Sequence, residues 1–270
     1  MDRTEIMKTA HAMADAARAT ILPYFRAADL GAENKALGTS ADLPGDGFDP
    51  VTEADRAAER AMRAVLARQR PHDGILGEEY GAKAGDTGLT WVLDPIDGTR
   101  GFLSGTPTWG VLISVADDTG PLYGLIDQPY IGERFEGGFD LARMTGPQGV
   151  RPLKTLGSRA LEDAIVFTTF PEVGTQSDGA AFRAVSQNAK LTRYGMDCYA
   201  YALVASGHVD LVIEAGLNAY DIQAPIAVIT AAGGIVTDWT GGPVHEGGCA
   251  LAAAGTEQHQ AALALLAPFT

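Results

Sequence analysis

Asp94 and Asp97 stand three residues apart at the end of an apolar run, WVLDPIDGT at 91–99. Two carboxylates held this close repel each other unless a cation lies between them. Hard oxygen donors at a strand end suit Mg²⁺, which takes carboxylates, a backbone carbonyl and retained waters. The carbonyl of Ile96, between the two acids, is one such donor. Gly98 and Thr99 then open a helical turn whose N–H groups can hold a phosphate. The competing reading is an Asp-rich surface turn in which Asp97-Gly98 is ordinary turn chemistry.

Three further acidic elements join this motif. Glu78 and Glu79 follow a short apolar strand (GILGEEYG, 74–81), where adjacent side chains point apart, so one can face a metal while the other faces solvent or a core donor. Taken alone, such a pair reads as solvated surface. In DPVTEAD, 49–55, Thr52 and Asp55 have the spacing of a capping box with Asp in place of Glu, so Asp55 has a structural reading beside a catalytic one. Asp221 enters an apolar helix and reads equally as its N-cap.

These residues need elements to position them. Apolar residues Ile6, Met7, Ala10, Ala14, Ala17 and Ile21 recur at helical spacing from Thr4 to about Phe25. A second helix is expected from Thr52 to Pro71. Between the two, residues 31–48 are rich in Gly, Asp and Pro, as expected of a lid that is mobile without ligand and covers the site when metal and substrate bind. TWGVLISVADDTGPLYGLIDQP reads as a hairpin turning at Asp-Thr-Gly. Residues 131–160 read as less regular. Beyond them lie a strand (AIVFTTF), a helix near 178–189, a helix ending in ALVASGH, the strand DLVIEAG, a helix from Asp221 to about Ala232 stopped by Gly233-Gly234, and IVTDW as a final strand. This order implies layered α+β halves, 1–140 and 141–270, forming one compact unit.

The formal charge of −14 argues against nucleic acid as a partner. It would also repel an anionic substrate, which a polyvalent cation at the site resolves. No apolar run approaches a membrane span, and Cys198 and Cys249 have no metal-ligand spacing, so a soluble cytoplasmic protein is expected. The five histidines are scattered and read as structural.

In order and spacing, DPVTEAD, GEE at 77–79, WVLDPIDGT and YD-x₁₁-GG at 220–234 resemble the inositol monophosphatase family over essentially the whole chain. The resemblance implies an αβαβα sandwich, usually a homodimer, that hydrolyses phosphate monoesters with two or three Mg²⁺ ions and no covalent nucleophile. Carried onto this chain, it implies Glu78, Asp94, the Ile96 carbonyl, Asp97 and Asp221 as metal ligands, and Gly98 and Thr99 at the phosphate. It also implies catalytic roles for Glu78 and for Asp55 and Thr99, the last two near the nucleophilic water. Lys35 is the candidate for the lid's lysine. The family's WD is YD here, which leaves the ligand intact.

DPIDGTRGF, GTPTWGVLISV and GLIDQPYIGERFEGG look most like the histidinol-phosphatase branch, which implies L-histidinol phosphate as substrate and a place in histidine biosynthesis. Glu214 matches a position that contacts the non-phosphate part of the substrate, and Asp197 falls where the inositol enzymes carry a small residue. Two acids facing the leaving group suit a cationic substrate; the competing reading is that Asp197 caps the following helix. Inositol-1-phosphatase, 3′-phosphoadenosine nucleotide phosphatase and a non-catalytic binding protein of the same fold are the alternatives.

Overall fold

A computed structural model of the chain describes residues 2–27, 33–34, 50–170 and 174–270. Apart from Glu33 and Asn34, the expected lid at 31–48, with Lys35, lies outside the described residues. The elements in chain order are α1 (Arg3–Ile21), β1 (Glu33–Asn34), β2 (Pro50–Val51), α2 (Glu53–Gln69), β3 (Gly74–Gly77), β4 (Gly81–Lys83), β5 (Thr90–Asp97), α3 (Thr99–Ser104), β6 (Gly110–Asp117), β7 (Gly120–Gln128), β8 (Glu133–Gly138), β9 (Leu141–Gly146) and β10 (Gly149–Pro152). There follow β11 (Ile165–Thr168), α4 (Gln176–Ser186), β12 (Leu191–Tyr194), α5 (Asp197–Ala205), β13 (Leu211–Asn218), α6 (Ala219–Ala231), β14 (Ile235–Asp238), β15 (Gly247–Ala253) and α7 (Thr256–Leu266).

Five layers result. Asp2 caps α1 by accepting from the N–H groups of Thr4 and Glu5, and the helix buries Ile6, Ala10, Met13, Ala14, Ala17 and Ile21 along one stripe. With α2 it covers one face of an eight-stranded sheet ordered β10-β9-β8-β7-β6-β5-β3-β4. The other face packs on α5 and α6, whose far sides meet a five-stranded sheet ordered β12-β11-β13-β15-β14. Helices α4 and α7 cover that sheet's outer face. This is the expected αβαβα sandwich. Strand β6 shows why its sequence reads as one apolar run: Val111, Ile113 and Val115 face the α1–α2 layer while Leu112 faces α5–α6, so both faces are covered.

The seat of α6 rests on two glycines. A Cβ on Gly124 would lie 2.5 Å from the Ala224 carbonyl oxygen, and one on Gly137 2.5 Å from Val228 Cα, so backbone meets backbone across this layer. Gly137→Ala should therefore cost about 1–3 kcal/mol, because a helix rather than a side-chain tip must move. Denaturant midpoints would show it; an unchanged midpoint would mean that the layer yields freely.

Several expectations change. Residues 131–160 contain three regular antiparallel strands, β8, β9 and β10, joined by tight turns. Their glycines and charges hid the alternation; Phe139 and Asp140 make one turn with positive φ of 53° and 64°. The boundary expected at 140 falls in that turn, and the first sheet continues to Pro152. IVTDW is not the last strand: β15 follows and pairs with both β13 and β14, and α7 follows it. Strand β12 was also not anticipated.

Candidate active site

Strand β5 ends at the core of the site. Asp94 is buried within it, and its Oδ1 accepts from the Ile96 N–H at 3.0 Å. The pairing with β6 shifts register between Asp94 and Asp97, an irregularity that re-aims the chain where the two acids lie. Asp221 arrives from the first turn of α6. It is not the N-cap: Asn218 is, and Asp221 closes a capping box by accepting from the Asn218 N–H at 2.6 Å. Oxygens of Asp94, Asp97 and Asp221 all lie within 4.8 Å of one another.

That crowding dominates the electrostatics. Burial, followed by the charges of Glu78, Asp97 and Asp221, raises the Asp94 carboxyl well above the ordinary range, and Asp94 and Glu78 share a hydrogen bond. Two carboxyl groups make such a bond only when one carries a proton. Burial, Asp221 and Asp197 likewise raise Asp97, against the bond it accepts from the Cys198 N–H at 2.6 Å in the first turn of α5. Three hard oxygen donors converging where protons must otherwise neutralise them is the chemistry of a Mg²⁺ site, and the residues present fit that ion.

The turn that follows Glu78 is held by a residue the sequence did not single out. Glu59 of α2, wholly buried, accepts from the N–H groups of Glu79 at 2.7 Å and Tyr80 at 3.2 Å, and from Arg63 Nε at 2.7 Å. Gly77 is glycine because a Cβ there would lie 2.1 Å from Glu59 Oε1. Asp55 takes the structural place that its spacing implies. Its Oδ2 closes the capping box with Thr52, while its Oδ1 is buried with no hydrogen-bond partner among the described residues. Burial, aided by Glu79 and opposed by the bonds from Thr52, pushes its pKa up to about 6.

Asp97, Gly98, Thr99, Asp197, Glu214 and Asp221 line one cavity of about 290 Å³, together with Arg100, Thr169 and Phe170. Gly98 caps the short α3 at φ 85°, in the left-handed region. Thr99 Oγ1 donates to the Ile96 carbonyl at 3.2 Å, which leaves that oxygen a second lone pair. Asp197 does not cap α5, because Met196 does; it is the first helical residue, at φ 45°, a conformation a non-glycine side chain adopts at a cost. Its Oδ2 accepts from Thr108 Oγ1 at 2.9 Å. Burial raises its pKa, opposed by the Thr108 bond and the Arg100 charge.

Glu214 accepts from the Thr169 N–H at 2.7 Å and Thr169 Oγ1 at 2.8 Å, yet burial pushes its pKa up to about 8. The Tyr201 hydroxyl, buried among the charges of Glu214, Asp97 and Asp221, has no hydrogen-bond partner among the described residues. Thr108, Thr169, Arg100 and Tyr201 carried no sequence signal, since each is an ordinary residue in an ordinary element.

A layered α+β fold with clustered carboxylates at one cavity defines a metal-dependent hydrolase of small phosphorylated molecules. The chain belongs to the inositol monophosphatase family, whose model matches residues 2–268 and whose members are metal-dependent phosphatases. It is 41% identical over 234 residues to the chloroplastic bifunctional phosphatase IMPL2 of Arabidopsis thaliana, a match covering 86% of this chain but 63% of that protein. It is 34% identical to a histidinol-phosphatase of Streptomyces coelicolor, covering 94% of each. A solved inositol monophosphatase from Zymomonas mobilis superposes with a TM-score of 0.84 at 37% identity, covering 99% of both chains. Among the described residues, no helix is long and apolar enough to cross a membrane.

Proposed function

We propose that this protein hydrolyses L-histidinol phosphate to L-histidinol and inorganic phosphate, a step of histidine biosynthesis, and acts as a homodimer. The observation that carries the substrate is the pair of acids, Asp197 and Glu214, lining the same cavity as Asp97 and Asp221. Histidinol phosphate offers an ammonium and an imidazole, and a cation at rest beside these acids favours the charged form of both. The likeness to a histidinol-phosphatase over nearly its full length supports the same reading.

Asp94, Asp97, Asp221, Glu78 and the Ile96 carbonyl would hold two or three Mg²⁺ ions. When bound, Mg²⁺ neutralises the ester's charge and lowers the pKa of a coordinated water. Gly98 and Thr99 hold the phosphate at the start of α3. Asp55 and Thr99 orient the attacking water; Asp55 Oδ1, without a hydrogen-bond partner among the described residues, has the capacity to accept from it. Water adds to phosphorus in line as the P–O bond to the alcohol breaks, and the proton the water gives up is taken by the departing alkoxide.

Discrimination must come from the leaving-group side, because the phosphate is common to every candidate substrate. Losing one charge-assisted hydrogen bond costs about 1.5–3 kcal/mol, roughly ten- to a hundredfold in kcat/KM. Asp197→Ala should lower kcat/KM for histidinol phosphate by about that factor, with far less change for the phosphate ester of an uncharged alcohol such as inositol 1-phosphate. Equal slowing of both would make Asp197 structural. Wild-type turnover of histidinol phosphate, inositol 1-phosphate and a 3′-phosphoadenosine nucleotide, compared with Mg²⁺ present, tests the substrate itself. Preference for either of the latter two would replace this reading, and no turnover of any would favour a binding protein.

A further inference from the structure

We propose that Gly101, with the hydroxyls of Thr106 and Thr108, forms a cradle that fixes the Asp197 carboxylate, so that Gly101 and Thr108 determine specificity through Asp197. The inference rests on the reading of Asp197 as the acid that selects a cationic leaving group.

Gly101 lies in the middle of α3 with ordinary helical dihedrals, where glycine costs about 1 kcal/mol relative to alanine. No turn or positive φ calls for it. What calls for it is space. A Cβ at 101 would lie 2.9 Å from Asp197 Oδ2, 2.9 Å from Thr108 Oγ1 and 3.1 Å from Thr106 Oγ1. Three polar atoms thus converge on the face of Gly101 that a methyl group would fill. Gly98, one turn earlier, is bounded by the same carboxylate, since a Cβ there would lie 2.6 Å from Asp197 Cγ.

The Asp197 side chain is therefore wedged over two glycines of α3, its Oδ2 tied to Thr108 Oγ1. The threonines are themselves anchored: Thr106 Oγ1 donates to the Gly101 carbonyl at 3.1 Å and lies 3.4 Å from Thr108 Oγ1. Neither Gly101 nor Thr108 needs to touch substrate; both act by fixing where a charge stands.

The test is kcat/KM for histidinol phosphate and for inositol 1-phosphate in Gly101→Ala, Thr108→Val and Asp197→Ala, and in Asp197→Ala combined with each of the first two. Alanine at 101 suits a helix, and valine at 108 keeps the shape of threonine, so one of the two folds even if the other does not. The expected result is a fall of about tenfold in the ratio of the two kcat/KM values for Gly101→Ala and for Thr108→Val, with neither lowering it further in the Asp197→Ala background. A substitution that merely loosened α3 would slow both esters and add to Asp197→Ala. If Asp197→Ala shifts the ratio while Gly101→Ala and Thr108→Val do not, the cradle is overturned and the substrate reading stands. If Asp197→Ala leaves the ratio unchanged, the reading of Asp197 as the selecting acid fails, and the cradle's role in specificity fails with it.

Discussion

Asp94→Asn should abolish phosphatase turnover, by at least about a thousandfold, while the metal-free fold becomes more stable than wild type at alkaline pH. The loss follows from removing a carboxylate from the centre of the cluster: disturbing groups that merely support a metal ligand costs roughly 10–100-fold, and removing a ligand exceeds that. The gain follows from the charges. Asp94 and Asp97 are raised well above the ordinary carboxylate range, and Asp55 and Glu214 to about 6 and about 8. Groups raised in the folded state favour folding while protonated, so stability is fully present below the unfolded pKa near 4 and is lost as pH rises through the folded values. Metal-free wild type should therefore lose thermal stability between about pH 5 and pH 9, and added Mg²⁺ should restore most at the alkaline end. Asparagine at 94 should flatten both trends. Full turnover after chelation, or a metal-free melting temperature that rises with pH, would contradict the assignment.

The second large effect belongs to stability. Asp127 of β7 is wholly buried between two arginines: Arg18 of α1 bonds it with Nε at 3.1 Å and Nη2 at 2.7 Å, and Arg134 of β8 with Nε at 2.7 Å. Arg134 also reaches Asp15 at 2.8 Å and His11 Nδ1 at 2.9 Å, and His11 Nε2 lies 3.1 Å from Glu136. Through this network α1 is bound to the sheet by charge as well as by its apolar stripe. Asp127→Ala leaves two largely buried guanidinium groups without their carboxylate, which should cost about 3–5 kcal/mol. For a chain of this size that is a fall in melting temperature of roughly 5–9 °C. Replacing the trio together, Arg18→Met, Asp127→Leu and Arg134→Met, should recover most of the loss, because apolar side chains of similar volume carry no desolvation penalty. A single substitution that melts within about 2 °C of wild type would show that water reaches the network readily.

The site and the scaffold differed in how far the sequence disclosed them. Asp94 and Asp97 belong to one short motif, whereas Asp221 reads alone as an N-cap and joins them only through the family resemblance. What secures them was not legible in the sequence. Cys198, which bonds Asp97, is 101 residues away and acts through its backbone N–H, an atom every residue but proline owns. Glu59 reads as a polar face of a helix until the turn of Glu79 and Tyr80 is seen folded over it. Strand β15 is built of GGCALAA, a composition poor in β-branched residues. Its small side chains fit a central strand whose Ala250 and Ala252 face α5–α6 while Leu251 and Ala253 face α4–α7. Packing from both sides overrode its weak local preference.

The glycine seat of α6 bears on how the enzyme can diversify. With Gly124 and Gly137 letting helix backbone rest on strand backbone, the seat of α6 on β7 and β8 is set at those two points by backbone rather than by side-chain volume. Other polar groups lining the cavity come from other elements, Thr169 after β11, Asp197 on α5 and Glu214 on β13. Under the proposed function, redesign for a new phosphate ester is confined to those three elements, with the clustered carboxylates kept as a fixed module.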